Sequence, residues 1–306
     1  MNKRNLFLYA ALTALSVSAT AQTMNVTRAG DTTIVKIAKS PKYLLLPIEE
    51  GKDEAQVILD NGKKTDTWMD VRLAQGKTDY YVSFKLNKGK TSVVKILNLK
   101  ADALALQKGQ LKLSNVWDVT NTDYYRPSYH HTPSYGWMND PVGMFYKDGV
   151  YHLCYQYNPY GSMWGNMHWG HAVSRDLIHW KEVEPTLQRD PMGHIFSGST
   201  VIDKDGTAGY GKNAVISLYT SDSKENAQTQ CMAYSTDGGY TFHKYEKNPV
   251  LKPFDGVKDF RDPKVFWYEP LKKWYMIVSA DKEMRFYSSP NSVSYTHLTL
   301  PTKRIV

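Results

Sequence analysis

Ala172-Val-Ser174-Arg-Asp176, Ala233-Tyr-Ser235-Thr-Asp237 and Tyr287-Ser-Ser289-Pro-Asn291 are three copies of one element, their central serines 61 and 54 residues apart. Each reads as a strand running into a Ser-x-Asp or Ser-x-Asn turn, where a short side chain bonds its own backbone. An aromatic follows the first two, Trp180 and Phe242. Upstream of each turn lies an apolar, aromatic-rich strand: Tyr151 to Tyr157, Val215 to Tyr219, Trp274 to Val278. Further upstream another strand opens on a polar cluster: Asn139-Asp140-Pro141, Phe196-Ser197-Gly198, Arg261-Asp262-Pro263. Four strands repeated every 50 to 65 residues are the signature of a β-propeller blade, so at least three blades are present.

Aligning the opening strands puts Asp140, Ser197 and Asp262 at equivalent positions, 57 and 65 residues apart. The first strand of a blade faces the propeller axis, so these three are expected to converge on one axial pocket. Converging carboxylates are what glycoside hydrolysis requires.

The region from about Met24 to Thr120 differs. Short alternating runs at Thr32–Ile37, Gln56–Leu59, Val82–Leu86 and Val93–Leu97 are separated by turns such as Asn61-Gly62 and Asn87 to Lys90. Period-two alternation with Gly and Asn turns predicts antiparallel strands in a small sandwich. Gly89-Lys90-Thr91 has the ending of a phosphate loop, but Phe84 occupies the required earlier glycine, which excludes a nucleotide site.

Composition bounds the rest. With 42% hydrophobic and 22% charged residues, 306 residues form folded domains and neither a disordered chain nor a coiled coil. The 22 Tyr and 8 Trp exceed what a core needs and suit a surface that stacks on rings. Net charge is +8, with Lys and Arg scattered among Asp and Glu, so nucleic acid is not an expected partner. Lys3 and Arg4, a short apolar run from Leu6 to Val17 and Ala19-Thr20-Ala21 read as a cleaved export signal at residues 1–21. That places the protein in the periplasm or outside the cell, with no membrane anchor. Cys154 and Cys231 lie in apolar runs and read as buried thiols, though sequence cannot judge a disulfide between them. No metal or other cofactor is expected. His168-x-x-His171 has the wrong local structure for a helical ligand pair and reads as core.

Trp137-Met-Asn-Asp140-Pro-Val-Gly143, His152-Leu-Cys-Tyr-Gln156-Tyr-Asn-Pro159, Trp169-Gly-His-Ala-Val-Ser174, Phe196-Ser-Gly198 and Phe260-Arg-Asp262-Pro263 together resemble glycoside hydrolase family 32, the invertase, inulinase and levanase family. The resemblance spans about Tyr124 to Asn291 and, with an export signal and a β module ahead of it, is similar to fructan-degrading members from gut Bacteroidetes. It implies a five-bladed propeller and a retaining hydrolase that releases fructose from β-fructofuranosides such as levan, inulin or sucrose. Asp140 would be the nucleophile. Asp262 would hold the fructose hydroxyls and stabilise the oxocarbenium-like transition state, with Arg261 beside it. Asn139, Gln156, Trp164, Phe196 and Ser197 would line the terminal fructose pocket. Val142 stands where an Asn is common and Cys154 where an aromatic is common, which touches fine specificity and not reaction class.

The family's general acid is a Glu preceding a Cys, and no Glu-Cys pair occurs in the 306 residues. Beyond Asn291 the tail matches nothing in the first two blades and resembles an adaptor read-through. The expected organisation is therefore a signal at 1–21, an all-β accessory module at 22–122, an incomplete five-bladed propeller of about three blades at 123–292 and an unrelated tail at 293–306. As a fragment without its proton donor, the chain is expected to be inactive or nearly so. A related five-bladed arabinosidase or xylosidase and a non-catalytic carbohydrate-binding propeller are the alternatives.

Overall fold

The structure, a computed structural model, describes residues 23–60, 62, 67–117, 127, 129–223 and 227–298. The export signal, the boundary expected near residue 122 and most of the tail lie outside the described residues.

The N-terminal module has eight strands: β1 (Met24–Ala29), β2 (Thr32–Ile37), β3 (Tyr43–Ile48), β4 (Ala55–Asp60), β5 (Thr67–Val71), β6 (Tyr80–Lys85), β7 (Ser92–Leu97) and β8 (Lys112–Ser114). A five-stranded sheet, β1-β2-β7-β4-β5, faces a three-stranded one, β6-β3-β8. In β2 the alternation is direct: Thr33, Val35 and Ile37 are buried while Lys36 is exposed. Strand β3 breaks the pattern. Its Tyr43-Leu-Leu-Leu-Pro-Ile48 run is apolar on both faces, five of its six residues are buried, and alternation therefore cannot find it. Pro47 is tolerated there because β8 pairs only with Tyr43, Leu44 and Leu45, leaving no second ladder at Pro47.

Three four-stranded antiparallel sheets follow, in the order inner to outer. Blade one is β9 (Trp137–Lys147), β10 (Val150–Asn158), β11 (His168–Ser174) and β12 (Trp180–Leu187). Blade two is β13 (His194–Asp203), β14 (Ala214–Asp222), β15 (Thr229–Ser235) and β16 (His243–Lys244). Blade three is β17 (Phe260–Tyr268), β18 (Lys273–Ala280), β19 (Glu283–Ser289) and β20 (Thr296–His297). The inner strands β9, β13 and β17 lie side by side. The expected all-β architecture, a sandwich-like module and a partial propeller, is the one found. Thr296 and His297 pair with Ser288 and Tyr287, so the start of the segment expected to match nothing takes the outer-strand position of blade three.

The repeated turns close in the same way in every blade. Ser174 Oγ donates to Asp176 Oδ1 at 3.0 Å, Ser235 Oγ to Asp237 Oδ1 at 2.7 Å and Ser289 Oγ to Asn291 Oδ1 at 3.1 Å. The same acceptor oxygens then receive backbone N–H groups further round each turn. This is the local satisfaction of turn amides that makes Ser, Asp and Asn the residues of choice there.

Blades one and two share a buried core of Val142, Cys154, Trp169, Leu187, Ile195 and Tyr219. Gly143 permits it: at φ 54° its missing side chain leaves room for the Trp169 ring, 2.4 Å from where a Cβ would stand. Both cysteines are buried free thiols, and burial pushes the Cys154 thiol up to about 12. His168 and His171 are core residues of β11, as expected.

Candidate active site

Each inner strand opens with the same irregularity. In β9, Met138 pairs with Tyr157 and Pro141 with Tyr155, so Asn139 and Asp140 together face Gln156. In β13, Ile195 pairs with Ser221 and Gly198 with Tyr219, so Phe196 and Ser197 face Thr220. In β17, Arg261 pairs with Ser279 and Lys264 with Ile277, so Asp262 and Pro263 face Val278. Two residues against one is a β-bulge, which bends the strand and re-aims its side chains. The repeat thus carries a bulge at the same place in blades one and two, opposite Gln156 and Thr220, and one partner residue away in blade three, opposite Val278 in place of Ser279.

The ladder keeps the alignment read from the sequence. Met138, Ile195 and Phe260 are equivalent paired residues on one side and Val142, Ser199 and Lys264 on the other, and in each blade the residue midway between them is Asp140, Ser197 or Asp262. Asp262 adopts a left-handed φ of 63°, a conformation that Asp tolerates better than most residues. Each blade inserts one extra residue between the same flanking pairs, so residue counting stays in step although the bulge itself is invisible to it.

Three blades meet at these bulges. Ser197 Oγ donates to Asp140 Oδ2 at 2.9 Å, joining blades one and two. The Asp262 N–H donates to Thr220 Oγ1 at 3.0 Å, joining blades two and three. Thr220 Oγ1 in turn donates to Gln230 Oε1 at 2.8 Å, and Gln230 Nε2 reaches the Phe260 carbonyl at 2.7 Å. Ser199 Oγ donates to the Pro263 carbonyl and accepts from the Val265 N–H, both at 2.8 Å.

Partial burial raises the pKa of Asp262; the Arg261 guanidinium, 4.0 Å away, opposes this and the neighbouring Asp140 charge reinforces it. Arg261 is itself anchored by Asp259 at 2.5 Å and Gln228 at 3.3 Å. Asp140 Oδ1 has no hydrogen-bond donor among the described residues, so one oxygen of that carboxylate is held and the other is open.

The aromatic wall stands beside them. Trp164, 53% exposed, stacks on His194 at 5.7 Å and meets Phe196 edge-on at 6.1 Å. Burial lowers the His194 imidazole to about 4, and its Nδ1 accepts the Met167 N–H at 3.0 Å as a neutral ring should. Gln156 is buried, and its Nε2 has no hydrogen-bond partner among the described residues. Asn139 Oδ1 accepts from Trp137 Nε1 at 2.9 Å.

All eight residues expected at the site therefore lie on the bulged openings of the inner strands, on the facing strand β10, or on the loop carrying Trp164. Sequence reading missed His194, Thr220, Gln228 and Asp259, which hold them. Thr220 was reachable: it is the blade-two equivalent of Gln156, the residue opposite the bulge. Among the described residues no group of three or more His, Cys, Asp or Glu could hold a metal ion. No helix among them is long and apolar enough to cross a membrane.

Residues 130–304 match the N-terminal domain of the glycosyl hydrolases family 32. The chain belongs to that family. Residues 29–129 match a domain of unknown function, DUF4980. This glycosyl hydrolase family 32 chain is 51% identical over 187 residues to a levanase of Bacillus subtilis (strain 168), covering 59% of this chain and 27% of the levanase. It is 47% identical over 178 residues to an extracellular exo-inulinase of Meyerozyma guilliermondii, covering 55% of this chain and 34% of that protein. The solved β-fructofuranosidase of Schwanniomyces occidentalis, complexed with fructosyl-erythritol, superimposes with a TM-score of 0.54 at 40% identity, over 60% of this chain and 37% of that one. The alignments span about a quarter to a third of the length of these curated relatives.

Proposed function

We propose that this family 32 protein is an exported retaining β-fructosidase, acting on levan, inulin or sucrose-type substrates, and that the bulge cluster is its terminal fructose site. The observation that carries the reading is the convergence of Asp140, Ser197 and Asp262 from three blades. The names of the similar proteins, levanase, exo-inulinase and β-fructofuranosidase, support the substrate class.

In this reading Asp140 attacks the anomeric carbon of the fructosyl unit through Oδ1 while Ser197 holds Oδ2. The glycosidic C–O bond breaks, the leaving oxygen takes a proton from a general acid, and a covalent fructosyl-enzyme forms. Water then attacks the same carbon, gives its proton to the conjugate base and returns Asp140 as a carboxylate, so configuration is retained. Asp262 accepts hydrogen bonds from fructose hydroxyls, and Arg261 keeps it in place. Trp164 and Phe196 offer ring faces to the sugar, and Gln156 and Asn139 offer amide groups.

The proton donor in this reading is the glutamate of a Glu-Cys pair, which the 306 residues do not contain. A missing general acid costs on the order of a hundred- to ten-thousand-fold. Fructose release from inulin, levan and sucrose is therefore expected only from protein that continues through a Glu-Cys motif. Release at equal rates from residues 1–306 alone would overturn the assignment of the acid. No release from either protein, with sugar binding retained, would favour the non-catalytic binding reading.

A further inference from the structure

The N-terminal module meets blade one at the segment between β10 and β11, residues 159–167, which carries Trp164. The contact is unusual in form. The Asn166 side-chain amide behaves as a strand: the Asp70 N–H of β5 donates to its Oδ1 at 3.0 Å, and its Nδ2 donates to the Asp70 carbonyl at 2.8 Å. Asn166 is 3% exposed and holds a left-handed φ of 38°. It also donates to Asn158 Oδ1 at 3.2 Å, and Asn158 Nδ2 donates to the Met163 carbonyl at 2.8 Å, one residue before Trp164.

Two further ties come from the module. The Ser162 N–H donates to Glu50 Oε1 at 3.0 Å, and Glu50 is fixed by the Tyr80 hydroxyl and by Arg72 at 3.5 Å. Trp68 of β5 lies under the Arg189 guanidinium at 4.5 Å, and Arg189 donates to Asn166 Oδ1 at 2.9 Å and stands 3.8 Å from the Asp70 carboxylate. Arg189 is 7% exposed, which makes these interactions count for more than surface pairs do. On the opposite side of the same loop Trp164 stacks on His194 and meets Phe196. The loop is thus held by the module on one side while presenting its tryptophan to the sugar site on the other.

We infer that the N-terminal module is a positioning element of the fructose site, with Glu50, Trp68 and the Asp70 backbone holding the 159–167 loop so that Trp164 is preorganised for sugar. The inference rests on the site reading proposed above for its sugar-binding consequence, but not for its mechanical part. Preorganisation lowers the ordering cost of binding, and each lost hydrogen bond or ring contact is expected to show in apparent affinity more than in turnover.

The test uses Glu50→Ala, Trp68→Ala and Asn166→Ala, with Glu50→Gln and Trp68→Phe as conservative partners that keep an acceptor oxygen and a ring. In the 306-residue chain, hydrogen exchange of residues 159–167 is expected to accelerate about tenfold in the alanine variants, to return toward wild type in the conservative ones, and to stay unchanged in β13 and β17. In protein continuing through the Glu-Cys motif, KM for sucrose is expected to rise about tenfold with kcat changed less than about twofold. Unchanged exchange in the loop overturns the inference. So does a loosened loop with an unmoved KM. If wild type hydrolyses no β-fructoside, the site reading falls, while exchange still decides whether the module holds the loop. Global acceleration across β13 and β17 would reduce the contact to general stability and overturn the inference.

Discussion

Ser197 donates its hydroxyl to Asp140 across 57 residues of sequence and a blade boundary, at 2.9 Å. Both stand second in their bulge pairs, so one structural device repeated in two blades brings a donor and a carboxylate face to face. The bond fixes one carboxylate oxygen and leaves the other toward the site.

If that bond only orients the nucleophile, its loss should be mild. Ser197→Ala is expected to lower kcat/KM for sucrose about three- to tenfold, the worth of one hydrogen bond. Asp140→Asn, which keeps the shape and removes the nucleophile, is expected to cost on the order of a thousandfold or more. Steady-state fructose release in protein bearing the Glu-Cys motif measures both, and equal losses would contradict the separate roles.

The coupling of Asp140 to Asp262 is open to titration. Because the Asp140 charge helps raise Asp262, Asp140→Asn should lower the Asp262 midpoint, and Arg261→Met should raise it by removing the opposing cation. Carbon-13 NMR of the aspartate carboxyl groups reads this directly. A midpoint indifferent to both substitutions would separate the two carboxylates.

His152 and His171 form a buried pair, Nδ1 to Nε2 at 2.9 Å, in which one ring donates and the other accepts. Burial lowers them to about 4 and about 3, and burial also takes His168 to about 3. Their folded values lie below the unfolded one, so the unfolded chain binds protons first as pH falls. Stability is full above about pH 6.5 and declines toward pH 4, each fully buried neutral histidine costing about 2 kcal/mol at pH 5. The thermal midpoint should fall between pH 7 and pH 5, with a shallower slope in His171→Gln, which cannot titrate. An equal slope in that variant would place the acid sensitivity elsewhere.

Gly198 follows the Phe196-Ser197 bulge, and a Cβ there would stand 2.0 Å from the Leu218 carbonyl oxygen, a backbone atom that cannot swing aside. Gly198→Ala is expected to destabilise the protein by about 1 to 3 kcal/mol and to weaken fructose release beyond the effect of Ser197→Ala. Calorimetry beside the fructose assay checks this, and a wild-type melting temperature would contradict the close approach.

Much of this protein is legible in its amino-acid sequence alone. The Ser-x-Asp turns, the alternating strands and the clusters opening the inner strands are local patterns, and local backbone preferences are written in consecutive residues. They locate the blades and mark Asp140, Asp262, Ser197 and their neighbours. Strand β3 escapes because a strand buried on both faces loses the alternation that announces it. The bulges, and their shift by one partner residue in blade three, belong to tertiary structure alone, since a bulge inserts one residue into a ladder without altering composition or period. So does the tie between Asp70 and Asn166, 96 residues apart. Contacts of that kind arise where two surfaces pack, and the free energy that selects them is shared among residues that no stretch of sequence brings together.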